Sequence, residues 1–159
     1  MNEIPPVSRV LHERGIPHRI FRHPGPVHSL EQAAIERGQL PGQIVRSIVF
    51  RLAQGEYLMV LVAGPAQISW PALRAFLGQS RLTMANEEEV FQSTGYRTGA
   101  VSPFGLTLPM RVLADESIFL PEEISIGSGE RGTTILMKSS DLKKALGEVE
   151  IGRFASSGK

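Results

Sequence analysis

"QIVRSIVFRLAQGEYLMVLVAG", Gln43 to Gly64, is the stretch that decides the fold. Its halves, "QIVRSIVFRL" and "EYLMVLVAG", are rich in β-branched and apolar residues, and only Ala53, Gln54 and Gly55 separate them. Such composition suits strands packed against a core, and so short a glycine-bearing connection predicts a hairpin at the centre of a sheet. Upstream, "SLEQAAIERG" offers Ser29 as an N-cap, Gln32 three residues on to complete a capping box, and Gly38 as the stop. Before it, "IPHRIFR" alternates as a strand does. "PPVSRVLHERG" sets Val7, Val10, Leu11 and Arg14 at helical spacing and ends on Gly15.

Downstream, "SWPALRAFLG" starts with Ser69 as N-cap, carries Pro71 in the first turn and stops at Gly78. "NEEEVFQSTG" pairs Asn86 with Glu89 and stops at Gly95. "MRVLAD", "EISIGSG" and "TTILMKS" read as short strands, "SSDLKKALG" as a last capped helix, and the polar tail "RFASSGK" is expected to fray. Helices and strands interleave, but several strand pairs are joined by tight turns. The expectation is therefore α+β: a curved mixed or antiparallel sheet covered by short helices, not a doubly wound parallel one.

The 159 residues, 42% of them hydrophobic, suffice for one core, so residues 1–159 read as a single domain. Seventeen basic against sixteen acidic residues leave a net charge of +1, so any nucleic-acid contact must come from a local cluster. With no cysteine, disulfide frameworks, thiolate nucleophiles and cysteine-type zinc sites are excluded together. "MNEIPPVSRVLHERG" lacks the basic start and apolar run of a signal peptide, and no run approaches the roughly 18 apolar residues of a membrane span. A cytoplasmic, non-membrane protein is expected.

Candidate chemistry is sparse. Ser102 does not sit in a nucleophile elbow, because Ala100 and Val101 precede it and Pro103 follows it where glycines are needed. His12, His18, His23 and His28 are five or six residues apart with no acid cluster at helical spacing, so they read as surface or loop residues and not as a metal set. Glu87, Glu88 and Glu89 follow an N-cap, where carboxylates meet the positive end of a helix dipole. "TGAVSPFG" and "GSGERG" are different, since glycine conformations can leave backbone N–H groups free to hold a carboxylate, a phosphate or an oxyanion. They are either two ordinary turns or two loops facing one pocket. Arg46 interrupts a run of Ile44, Val45, Ile48 and Val49. It is either a cleft-lining cation that needs a partner or a residue on the wet face of an edge strand.

"QIVRSIVF", "ANEEEVFQSTGYRTGAVSPFG" and "ISIGSGERGTTILMKSSDL", in this order and spacing, resemble the YbaK-type aminoacyl-tRNA deacylases, relatives of the editing insertion domain of bacterial prolyl-tRNA synthetase. The resemblance covers roughly residues 20–147, and Gly99 to Pro103 matches the family's GxxxP loop. It implies hydrolysis of the ester of a mischarged tRNA, with a small amino acid on tRNA for proline as the substrate and prolyl-tRNA synthetase as the associated synthetase. It implies no cofactor, metal, membrane or DNA partner. Arg46, Gly99 and Ala100 would carry the chemistry, with backbone groups of the loop placing the reacting atoms and the substrate's own ribose hydroxyl assisting. Val27, His28, Ser47, Val101, Ser102, Pro103, Gly127, Ser128 and Gly129 would bind the substrate. The family usually has lysine where Arg46 stands, and its cysteine-removing branch tends to carry a serine at Gly127 and an acid at Thr134. A module that binds tRNA or a synthetase without hydrolysis, and a binder of a small anionic ligand, are the alternatives.

Overall fold

The computed structural model describes residues 4–52 and 55–156. The hairpin builds as its composition dictates: β2 (Val45–Leu52) pairs antiparallel with β3 (Tyr57–Ala63), in a register running from Val45 opposite Ala63 to Arg51 opposite Tyr57. Ala53 and Gln54 of the connection lie outside the described residues, and Gly55 takes a left-handed φ of 77° that closes the turn. β4 (Leu82–Met84) adds to the outer edge of β2. On the other side β5 (Arg111–Asp115) runs parallel to β3, and β8 (Glu150–Gly152) parallel to β5. The order of this five-stranded mixed sheet is β4-β2-β3-β5-β8.

A second, antiparallel sheet has the order β1-β7-β6, from β1 (Arg19–Arg22), β7 (Thr133–Lys138) and β6 (Glu123–Gly127). The sheets meet at a parallel bridge between Ile44 and Ser125. The fold is therefore α+β with mixed and antiparallel pairing, and among the described residues it carries five α-helices: α1 (Pro6–Glu13), α2 (Leu30–Arg37), α3 (Trp70–Leu77), α4 (Glu87–Thr94) and α5 (Ser139–Leu146).

Alternation along β3 explains its continuous apolar run. Met59 and Leu61 face the main core with Val7, Leu11, Val49, Ile124, Ile126 and Ile135, while Leu58 and Val60 face a second core with Phe50, Leu73 of α3, Leu113 and Phe154. Each fully buried side chain of this size contributes about 1.5–3 kcal/mol by leaving water. Among the described residues no helix is long and apolar enough to cross a membrane.

Local signals hold with three differences. Asn86 and Glu89 close the capping box of α4 in both directions. Ser29 Oγ accepts the Gln32 N–H as expected, but the Gln32 side chain accepts from His28 N–H, so that box is only half formed. α5 has no side-chain cap, because Ser139 lies inside the first turn and its hydroxyl donates to Pro121 O. The tail does not fray over its described part: Phe154 is buried, its N–H and that of Ala155 donate to Asp115 Oδ1, and Ala155 bridges to Ile68. One buried aromatic inside a polar segment supplies the anchor. Residues 157–159 of the tail lie outside the described residues.

Candidate functional site

Just beyond the Ile44–Ser125 bridge the sheets separate, and a cavity of about 300 Å³ opens between β2 and β6. Arg46, Ser47 and Ile48 form one wall, Ser125, Ile126 and Gly127 the other, and Gly99 and Val101 of the glycine loop close it. Thr133, Thr134 and Arg37 also line it, with Ile44 and Val45 at its root.

Register decides what β2 presents. Leu52 N–H donates to Glu56 O and Gly64 N–H donates to Ile44 O, so even-numbered residues of β2 bond toward β3 and odd-numbered ones point the other way. Val49 O accordingly accepts from Ala85 on the outer side. Ser47 therefore turns its backbone polar groups away from β3, toward the cavity. Its side chain shares a face with Val45 and Val49, and its hydroxyl is buried with no hydrogen-bond partner among the described residues. A buried hydroxyl left unpaired is costly, and a ligand in the cavity can relieve that cost.

Arg46 alternates onto the face of Ile48 and Phe50. Its Nε donates to Gly64 O at 2.8 Å and its Nη2 donates to Ala66 O, while burial pulls its pKa down. The guanidinium thus clasps the turn after β3 while bordering the cavity, and its partners are carbonyls, not a carboxylate. That is neither a wet-face arginine nor a cation paired with an anion.

The glycine loop earns its composition by close approach. A Cβ on Gly127 would lie 2.1 Å from Val101 O, so the loop rests directly on the β6 backbone, and Gly129 N–H donates to Ala100 O at 2.9 Å. A serine at Gly127 has no room with the loop seated here. Gly99 takes φ 95°, which suits glycine alone. Ala100 is buried and its N–H donates to Arg97 O at 3.0 Å, so that donor is committed within the turn. Ser102 is fully buried, with Oγ accepting from Phe104 N–H, and Pro103 borders a separate groove beside Arg14 and Met110.

The other expected residues divide. Val27 lies in an outer groove of about 670 Å³ with His23, Gly25, Thr98 and Arg131, a groove that shares Arg37, Gly99 and Thr133 with the inner cavity. His28 is exposed and lines neither space. Ser128 is buried, its hydroxyl donating to Thr133 O at 2.8 Å and accepting from Glu130 N–H, and Gly129 packs under Tyr96 and Pro6. Both support the loop from behind. Among the described residues no group of three or more His, Asp or Glu side chains gathers in a way that could hold a metal ion.

Sequence reasoning missed Arg37, Ser125 and His23. Arg37 Nε donates to His23 Nε2 at 3.0 Å and Nη1 donates to Ser125 Oγ at 2.8 Å. Because Nε2 accepts, the ring proton sits on Nδ1, which donates to Glu36 Oε1 at 2.5 Å. The His23 side chain is only 1% exposed, so it is not the surface histidine expected. Burial lowers the Arg37 pKa to about 10 against the pull of Glu36, which leaves it cationic at neutral pH. Hydrogen bonds from Gln32 and then His23 hold the Glu36 carboxyl below its usual range. In the sequence Arg37 ends an ordinary amphipathic helix, where a basic residue reads as a dipole partner.

A concave space with apolar walls and a few convergent polar groups, reached through a wider outer groove, has the form that small-ligand sites take. The chain belongs to the aminoacyl-tRNA editing domain family, which matches residues 24–145. The proline–tRNA ligase of Desulfotalea psychrophila is 32% identical over 91 residues, 57% of this chain and 15% of that protein. That of Thermosipho melanesiensis is 30% identical over 105 residues, 66% of this chain and 18% of that one. The chain thus spans less than a fifth of the length of these relatives. The crystal structure of a proposed trans-editing enzyme for prolyl tRNA synthetase superposes with a TM-score of 0.86 at 25% identity, over 96% of both chains.

Proposed function

We propose that the protein deacylates mischarged aminoacyl-tRNA, taking the amino acid into the inner cavity and the 3′ end of the tRNA into the outer groove. The observation that carries this reading is the inner cavity itself, with its unpaired Ser47 hydroxyl, the glycine loop across it and a volume of about 300 Å³ suited to a small side chain. In the reaction a water oxygen bonds to the ester carbonyl carbon, the bond from that carbon to the ribose oxygen breaks, and the water's proton ends on the ribose oxygen. The ester is already activated, so placing water and stabilising the carbonyl oxygen are sufficient catalysis. Ser47 offers its hydroxyl and strand-edge backbone to the aminoacyl group, Gly99 lets the loop backbone approach the ester, and Gly127 keeps the space open. Tight walls select by size, a discrimination worth about 1–3 kcal/mol per methylene.

Small amino acids on tRNA for proline are the favoured substrates, given the relatives. The test is loss of the ester from purified tRNA for proline charged with glycine, alanine, serine, cysteine or proline. Hydrolysis of a small noncognate ester with prolyl-tRNA spared is expected, and no loss from any of them would retire the enzyme reading. The second reading, a tRNA-binding module without hydrolysis, is favoured by Arg46, whose guanidinium clasps Gly64 and Ala66 where the family usually presents a lysine. Binding of tRNA without ester loss, with deacylation gained on Arg46→Lys, would establish it.

A further inference from the structure

We infer that Arg37 is the cation that holds the ester carbonyl of the bound substrate, at the neck between the inner cavity and the outer groove. This rests on the deacylase reading and names a catalytic residue for it. Arg37 lines both spaces, and its guanidinium lies between Ser125 Oγ on the inner side and His23 Nε2 on the outer side. Gly99, where the glycine loop comes closest, is also shared by both spaces. An aminoacyl-tRNA end has its nucleotide on one side of the ester and its amino acid on the other, so the neck is where the ester must sit.

The guanidinium is held but not used up. A guanidinium has five N–H donors, and two of these are committed, Nε to His23 and one on Nη1 to Ser125. Nη2 donates to no group among the described residues. His23 is fixed in turn by Glu36, and Glu36 by Gln32 Nε2 at 2.9 Å, so a chain of hydrogen bonds sets the plane of the fork. Glu36 bonds to His23 and Gln32 and takes none of the Arg37 donors; its charge helps keep the guanidinium cationic while those donors stay available to a developing negative charge. As water adds to the carbonyl carbon, the carbonyl oxygen gains that charge, and a preorganised donor at the neck stabilises it more than it stabilises the ground-state ester. Arg46 commits two donors as well, but it borders the inner cavity alone and not the outer groove, so it does not stand at the neck.

The experiment compares wild type with Arg37→Met, Arg37→Lys and Arg37→Ala, checking each fold by thermal melting. Expected is a fall of about a hundredfold in kcat for Arg37→Met with KM within a few-fold, the scale of one lost oxyanion donor. Arg37→Lys should keep part of the rate, and guanidinium added well below denaturing concentration should raise the rate of Arg37→Ala. A folded Arg37→Met with wild-type kcat overturns the proposal, and so does a rise in KM alone, which would mark a phosphate contact. Binding keeps it testable if wild type hydrolyses nothing, an outcome that removes the deacylase reading by itself. Adenosine carrying a 3′-linked aminoalkyl phosphonate, whose charged tetrahedral oxygens stand in for the addition intermediate, should bind Arg37→Met at least about tenfold more weakly than wild type, while adenosine with an amide-linked alanine at the 3′ position, a ground-state mimic, binds both within a few-fold. Equal weakening of both ligands, or of neither, overturns the carbonyl contact.

Discussion

Gly127 shows how one absent methyl shapes a site. With Val101 O only 2.1 Å from where a Cβ would stand, Gly127→Ala must push the glycine loop off β6. We expect about 1–3 kcal/mol of lost stability, read from the denaturant midpoint, together with loss of deacylation as the cavity deforms. Gly99 is constrained by conformation instead, since a Cβ there would meet nothing closer than Arg131 Nε at 3.7 Å but φ is 95°. Gly99→Val should cost about 1–2 kcal/mol of strain and slow hydrolysis about a hundredfold, because the loop backbone relaxes away from the ester. Ser102→Ala is the contrast: its Oγ accepts an internal hydrogen bond and it lines neither the inner cavity nor the outer groove, so the rate should stay within a few-fold. A folded but inactive Ser102→Ala would restore the nucleophile that the sequence argues against.

At the scale of elements, Asp115 ends β5 and ties down the chain after β8. Burial works to raise its pKa, but hydrogen bonds from Ser117 and from the Phe154 and Ala155 N–H groups outweigh it and hold the carboxyl below its usual range. Because the folded pKa lies below the unfolded one, this stabilisation is complete above about pH 4 and is lost as pH falls further. Unfolding midpoints followed through that window should fall in wild type and fall less steeply in Asp115→Asn. Phe154 packs edge-on against Phe76 with ring centroids 5.0 Å apart, so Phe154→Ala should cost about 3–5 kcal/mol in chemical denaturation.

Over the whole molecule, what was legible followed from local physics. The hairpin of β2 and β3, the glycine stops of α2, α3 and α4, and the α+β class come from periodicity and caps, which act over a few residues. β4 and β8 span three residues each, too short for a period to show, and exist because a sheet edge was waiting for them. In the site, Arg46, Ser47, Gly99, Val101 and Gly127 were legible as candidates in the sequence, and all five border the cavity. Arg37 and Ser125 were not, because they lie 88 positions apart and only the placing of the end of α2 beside β6 brings them together. Ser128 and Gly129 belong to the right turn but face backwards, a matter of strand register that composition does not encode.

The Ile44–Ser125 bridge also pins the two sheets together at the root of the cavity, so the angle at which the shared core holds them sets how far apart the walls stand. Each strand residue beyond the bridge adds about 3.3 Å of lever, so a change of about 5° in that angle moves walls three residues out by about 1 Å while the root hardly moves. A ligand in the cavity would then be fitted most strictly at the deep end and most loosely at the mouth. Such a gauge can be recalibrated from outside: a substitution that swells the packing behind the bridge would change which side chains fit without touching a single group that contacts them.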